Sequence, residues 1–340
     1  MGRFLGVDLH RNRFEVCTLA GNGRRYRRSW GMRELAKFAA TLRAEDAVAV
    51  EVTTNTRFFY EAVAPRVNRV AVVNPSQFKV ISQSVKKTDR RDAETLAEFL
   101  SKDMVPEVRM KDKDQARLAS LTQTRDMLVK QRTAVKNKIN NIFAAYGIVL
   151  AKESLSSERG LKKITSWTFD LSAELEVSVL ADQVRSLTES IKRLEATIRE
   201  AGAKQPGHAN LKSIKGIGDV SASIFVSVIG DVNDFADAGK LASYFGIVPR
   251  VQNSNETVHH GRITKRGSKL GRTTLVQCAL VAKQYSPYLR DYYERIQRRR
   301  GTGKAIIALA RKFLGIIYLT LKNNWTFEDF PNFAIAETVT

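Results

Sequence analysis

Short apolar runs separated by polar turns open the chain. Residues 4–9, 14–20 and 24–30 read as strands of a meander, 33–42 as an amphipathic helix, 47–52 as a strand, 57–64 as a second helix and 70–73 as another strand. Strands that first meander and then alternate with helices predict a mixed α/β sheet. A further helix is predicted over 89–101, with Asp89 placed to cap its start.

Beyond residue 110 the apolar period changes. Leu118, Leu121, Leu128, Val135, Ile139 and Ile142 fall on a heptad seam that Arg125 and Arg132 interrupt, while Leu180, Val184, Leu187, Ile191, Leu194 and Ile198 form a cleaner one. Together they read as a two-helix coiled-coil arm, joined through the polar stretch 151–168 and packed either within the chain or against a second copy. A Gly/Pro-rich break at 202–207 then opens a last region that reads as mainly helical. Four segments follow: an α/β unit over 1–110, the arm over 111–201, the helical region over 202–330, and a tail over 331–340 in which no chemistry is identified.

Charge narrows the function. The 340 residues carry 56 Lys+Arg against 35 Asp+Glu, a net charge of +21. Such an excess repels itself unless a polyanion neutralises it, and nucleic acid is the first partner to expect. Only Cys17 and Cys278 occur, far apart and in apolar surroundings, so neither a disulfide framework nor a zinc cluster is indicated. With no apolar run of membrane-spanning length and no leader-like start, the expected location is the reducing cytoplasm.

The chemistry lies in four acids. Asp8 stands near the end of the strand Phe4-Leu5-Gly6-Val7-Asp8, and Glu51 ends the apolar strand that starts at Ala47. If those strands are neighbours, both carboxylates meet at one sheet edge. In Lys86-Lys87-Thr88-Asp89-Arg90-Arg91-Asp92-Ala93 the two aspartates are three apart and share a helix face. Singly, Asp89 and Asp92 read as well as a helix cap and a solvated face. Four carboxylates at one site repel unless divalent cations join them, and Mg²⁺ suits a few carboxylates plus phosphate oxygens, with Mn²⁺ an alternative. Two such ions, about 4 Å apart, serve phosphodiester cleavage. Lys86, Lys87, Arg90 and Arg91 stand beside the acids to hold the DNA strand.

Gly6-Val7-Asp8, the strand-terminal Glu51 and Lys87 through Ala93 resemble the RuvC-like domain of insertion-sequence family 110 transposases, a family that includes a pilin-gene inversion protein. The likeness runs almost to the C-terminus. Ile214-Lys215-Gly216-Ile217-Gly218 resembles a helix-hairpin-helix, whose Gly turn can face a phosphate through Lys215, Gly216 and Gly218. Phe245-Gly246-Ile247-Val248-Pro249, then Ser254, then Gly261-Arg262-Ile263-Thr264-Lys265-Arg266-Gly267 is similar to the family's transposase domain. The fold class implied is α/β plus α, with an RNase H-like (RuvC-like) N-terminal DEDD domain, a coiled-coil arm and a helical transposase domain.

By that resemblance Ser254 is the nucleophile, meeting the RuvC-like acids and their metals in a composite site and forming a phosphoserine link. Family members commonly place glycine after this serine. Here Asn255 and Glu256 follow, so Ser268 stands as a second candidate. Lys265, Arg266, Arg272, Arg298, Arg299 and Lys304 are candidate phosphate contacts. Gly301-Thr302-Gly303-Lys304 lacks the spacing of a phosphate-binding loop. The resemblance also implies a non-coding bridge RNA that pairs with target and donor DNA, and strand exchange implies a dimer that works as a tetramer. Two alternatives stand beside the RNA-guided transposase: a DNA-only invertase or Holliday-junction-resolving nuclease, and a catalytically silent nucleic-acid-binding protein.

Overall fold

The structure, a computed structural model, describes residues 2–74, 78, 88–151, 154–254 and 257–335. It divides into two units, Met1–Lys111 and Asp112–Thr340.

The first unit is built on a five-stranded sheet of β1 (Phe4–Leu9), β2 (Arg13–Leu19), β3 (Arg25–Gly31), β4 (Ala47–Glu51) and β5 (Arg69–Val73), in the order β3-β2-β1-β4-β5. The β1-β2 and β2-β3 pairs are antiparallel, whereas β1-β4 and β4-β5 are parallel. Strand alternation sends Leu5, Val7, Leu9, Phe14, Val16, Val48 and Val50 to one face. There they pack with Phe38 of helix α1 (Leu35–Ala39) and Phe59 of helix α2 (Thr56–Val63). Phe14 meets the Phe38 and Phe59 rings edge-on at 5.2 and 5.6 Å between centroids.

The other face carries Ala49, Ala71, Val73 and Cys17, and helix α3 (Asp89–Ser101) covers it through Ala93, Leu96, Ala97 and Leu100. Gly6 lies at the closest approach: a Cβ there would sit 2.0 Å from the Ala93 carbonyl oxygen and 2.4 Å from the Ala97 nitrogen. Glycine is required at this point by the helix packed on the strand. Arg27 and Arg25 of the edge strand reach across to α3, Arg27 pairing with Glu94 at 2.6 Å and Arg25 with Glu94 and Glu98. These charges also blunt an edge that could otherwise recruit another strand.

In the second unit, helices α4 (Lys113–Ala145) and α6 (Leu171–Ala203) pair along their lengths, with short helix α5 (Glu158–Thr165) near their far ends. The two arginines that interrupt the first apolar seam have partners on α6. Arg125 donates to Glu195 from Nε at 2.9 Å and Nη2 at 2.6 Å, and Arg132 donates to the Thr188 hydroxyl at 3.2 Å. Ile139, Ile142 and Phe143 pack with Leu161, Ile164 and Val177 at one end, while Leu118 and Ile198 join the main helical core at the other. That core is formed by α7 (His208–Lys212), α8 (Asp219–Ile229), α9 (Ala238–Tyr244), α10 (Lys269–Tyr285), α11 (Pro287–Arg300) and α12 (Thr302–Lys322).

One expectation is corrected, and the mainly helical reading of the last region gains one element. The cap of α3 is Thr88, whose extended backbone lets its hydroxyl accept from the Arg91 amide, so Asp89 falls in the first helical turn instead. The last region also contains a β-hairpin, β6 (Pro249–Ser254) with β7 (Thr257–Ile263), which its polar residues Gln252, Asn253 and His259 conceal in sequence. Among the described residues no helix is long and apolar enough to cross a membrane.

Candidate active site

Parallel pairing sets the acids. Val7 is opposite Val50, so Asp8 and Glu51 take the next level at the C-terminal ends of adjacent strands, on the face that α3 covers. Neighbouring strands stand about 4.8 Å apart. Because the N-terminus of α3 lies over this edge, Asp89 and Asp92, three residues apart in its first turn, come to the same place.

The side chains converge further. His10 Nε2 is 3.3 Å from Asp8 Oδ2 and 3.0 Å from Asp89 Oδ2, and Arg13 Nη2 is 3.1 Å from the same Asp89 oxygen. Asp8, His10 and Asp89 each offer one ligand atom within 4.8 Å of the others. Glu51 and Asp92 are outside that set, although Asp92 is buried and its charge acts on Asp8. Burial raises the Asp8 carboxyl above its ordinary value; His10 opposes this and the charges of Asp89 and Asp92 add to it. Partial burial pushes Asp89 up as well, but Arg13 and His10 outweigh it and leave that carboxyl below the ordinary value. One acid that resists ionisation beside one that is readily ionised marks a place where additional positive charge is favourable. The donor set, carboxylate oxygens with one imidazole, fits a hard divalent ion or Mn²⁺.

His10 and Arg13 are the residues that sequence reasoning missed. The available signal was the spacing Asp8-x-His10, since residues two apart on extended chain point to one side. Arg90 and Arg91 are exposed beside the acids, and Lys86 and Lys87 lie outside the described residues.

The second unit distributes its expected residues. Ser254 ends β6, paired in register with Thr257 at the hairpin's tip, while Asn255 and Glu256 lie outside the described residues. The Ser268 hydroxyl caps α10 by accepting from the Gly271 amide at 3.0 Å. Lys215 and Gly218 are exposed in the turn between α7 and α8, where Gly216 adopts φ +105° and packs closely on Cys278 and Ala282. Arg272 donates to the carbonyls of Phe245 at 3.0 Å and Arg266 at 3.3 Å, bracing the loop that carries Lys265 and Arg266. Lys265, Arg299 and Lys304 line one concavity; Arg298, exposed nearby on α11, pairs with Glu294 at 3.5 Å.

Residues 5–148 match the model of the IS110-type DEDD transposases, and residues 208–294 match that of the transposase IS116/IS110/IS902 family. Full-length relatives agree. The transposase for insertion sequence element IS1111A of Coxiella burnetii is 26% identical over 334 residues, covering 96% of this chain and 91% of the relative. The transposase for IS1328 of Yersinia enterocolitica is 25% identical, covering 95% and 98%. The pilin gene-inverting protein of Moraxella bovis is also 25% identical, over 96% and 97%. The acidic sheet edge falls within the first matched span and the serine hairpin within the second, and the chain belongs to the IS110 family of transposases.

Proposed function

We propose that this chain is a DNA recombinase that breaks and rejoins phosphodiester bonds, with a metal-binding acidic site on a RuvC-like first unit and Ser254 as its nucleophile. The observation that carries the reading is the meeting of Asp8, His10 and Asp89 within 4.8 Å at the C-terminal end of a parallel strand pair. The strand order, antiparallel through β3-β2-β1 and parallel through β1-β4-β5, supports the RuvC-like assignment. Asp8 and Asp89, flanked by Glu51 and Asp92, would hold Mg²⁺ or Mn²⁺, which when bound supplies Lewis-acid stabilisation of phosphoryl charge.

The chain's own residues do the rest. Ser254 Oγ forms a bond to phosphorus as the bond to the leaving sugar oxygen breaks, and the serine proton passes to solvent or to that oxygen. Arg90, Arg91 and Arg13 hold the strand by its phosphates. A net charge of +21 supports binding of both DNA and a guide RNA. Strand exchange between two duplexes requires several copies of the chain, for which a dimer and then a tetramer is the simplest assembly.

A denaturing gel tests the mechanism. With divalent metal and co-purified RNA present, the intact chain should form a covalent protein–DNA adduct that both Ser254→Ala and Asp8→Asn lack. Cleavage by Ser254→Ala with no adduct would replace the serine mechanism with metal-dependent hydrolysis. The likeness to the pilin gene-inverting protein favours one second reading, a DNA-only invertase. Recombination that survives complete RNase treatment would select it.

A further inference from the structure

We propose that the groove between α11, α12 and the β6–β7 hairpin binds an unpaired polynucleotide strand, separately from the acidic site. Its cations come from every wall: Arg295, Arg299 and Arg300 from α11, Lys304 and Arg311 from α12, Arg262 from β7, and Lys265 from the loop that follows. Among the described residues no carboxylate lines the groove and none of the seven cations is ion-paired, in contrast with Arg298 just outside it. Arg295 and Arg299 are four apart on one helix, where like charges destabilise the helix. A folded core gains nothing from such crowding, whereas a polyanion would neutralise it.

The groove's size and floor decide which polyanion. At about 1220 Å³ it exceeds the range of small-molecule pockets. Ile247, Ile263, Ile296 and Ile307 line it among the charges. A duplex keeps its base faces stacked on one another and presents only phosphates and groove edges, so it would leave these isoleucines uncovered. An unpaired strand brings exposed base faces to an apolar surface while its phosphates meet the rim. The start of α12 helps, since its N-cap is Gly301, which has no side chain to cap the first amides, and Gly303 and Lys304 face the groove.

The geometry is held from behind. Lys265 adopts φ +55°, rare for a side-chain-bearing residue, and its amide donates to the Gly246 carbonyl at 3.0 Å. Gly246, at φ +67°, lies so close to this loop that a Cβ would fall 2.1 Å from the Arg266 carbonyl oxygen. Arg272 ties both segments together through its two carbonyl partners. The loop is therefore fixed against the groove wall, and Lys265 is presented from a braced backbone.

The inference deepens the recombinase reading and rests on it only for the source of the strand, which is either a displaced DNA strand or a single-stranded part of an RNA. Fluorescence anisotropy on the full chain, stripped of nucleic acid, would compare oligothymidylate, oligouridylate and a blunt duplex of equal length. Combined Arg295→Ala, Arg299→Ala and Lys304→Ala should weaken single-strand binding at least tenfold. The slope of log affinity against log salt should flatten by about 2, at roughly 0.7 per lost phosphate contact. A control removing the same charge from α5 and α6, Lys162→Ala, Lys163→Ala and Lys192→Ala, should bind nearly as the parent does. Arg300→Ala alone, exposed at the end of α11, gives the same direction at smaller amplitude if the triple variant folds poorly. Equal losses in the control, unchanged affinity in the groove variants, or a preference for duplex would each overturn the assignment. Asp8→Asn should retain full strand binding, so an acidic-site failure leaves the groove result standing. The ratio of oligothymidylate to oligouridylate affinity identifies the source.

Discussion

Replacing Gly6 by alanine tests whether the packing of α3 on β1 builds the acidic site. The added Cβ would meet the Ala93 carbonyl oxygen at 2.0 Å, where ordinary contact begins near 3.4 Å, and it would meet Leu96 Cβ at 2.9 Å. Two of the three nearest atoms are helix backbone, so no side chain can swing aside. The helix must retreat by about 1.4 Å at this point, or the strand must bend by as much. Overpacking of this kind costs about 1–3 kcal/mol. The loss of glycine's freedom in the unfolded chain returns about 0.4–1 kcal/mol, so net destabilisation wins.

The functional effect should be larger than the stability effect. Asp89 and Asp92 ride on α3 and Asp8 on β1, so a retreat of about 1 Å opens the distances that chelation of a metal ion by these side chains requires, and misplacement of that size can reduce turnover about 10²-fold. Thermal unfolding and a DNA cleavage assay on the same preparation separate the two. The same change at Gly315, inside α12 with nothing within 4 Å of its Cβ, supplies a control of opposite sign. There alanine should stabilise by about 1 kcal/mol. A Gly6→Ala protein as stable and as active as the parent would refute the argument that helix and strand backbone are in contact at this site.

Asp8→Asn should abolish cleavage yet melt no lower than the parent in chelator. Burial raises the Asp8 carboxyl, so the folded chain holds that proton more tightly; the contribution to stability is full below the ordinary value of 3.8 and is lost as pH rises through the raised one. Added Mn²⁺ should raise the melting temperature of the parent but not of the variant, and calorimetric scans with and without the ion would check it. His208, buried against Ser223 and the Asp219 carbonyl, is held below its ordinary 6.5 by burial, which outweighs the Asp219 contributions. Stability should therefore be intact above pH about 6.5 and fall as pH drops below it, and denaturant titrations of His208→Gln should show a flatter pH profile. Arg125→Ala should cost about 1–2 kcal/mol, between exposed and buried pairs, and a double-mutant cycle with Glu195→Ala should return most of it as coupling energy.

The first unit was legible because its strands alternate cleanly. The period of two assigns Leu5, Val7 and Leu9 to one face and leaves Asp8 on the other, and that parity carries the acid to the site. What the strand pattern does not contain is the helix that packs on it. Gly6 reads in sequence as a weak strand residue, although its meaning is a backbone contact with residues some ninety positions away. His10 and Arg13 escaped for a related reason, since they reach Asp89 only after the turn between β1 and β2 has folded. The β6–β7 hairpin was hidden because its stability comes from pairing, and its residues lack an apolar alternation to announce it. The groove was half visible: Arg295 to Lys304 is a basic run in sequence, but Arg262, Lys265 and Arg311 join it only by folding.

The pairing of α4 with α6 also has a mechanical consequence. At 1.5 Å per residue, each 33-residue helix is about 50 Å long. Leu118 and Ile198 root one end in the helical core, and the Arg125–Glu195 and Arg132–Thr188 contacts stop the helices from sliding past each other. The pair thus behaves as a stiff lever. A tilt of about 5° at the root would carry the far end through about 4 Å, so a small adjustment in the core is amplified into a displacement large enough to make or break a contact at the tip.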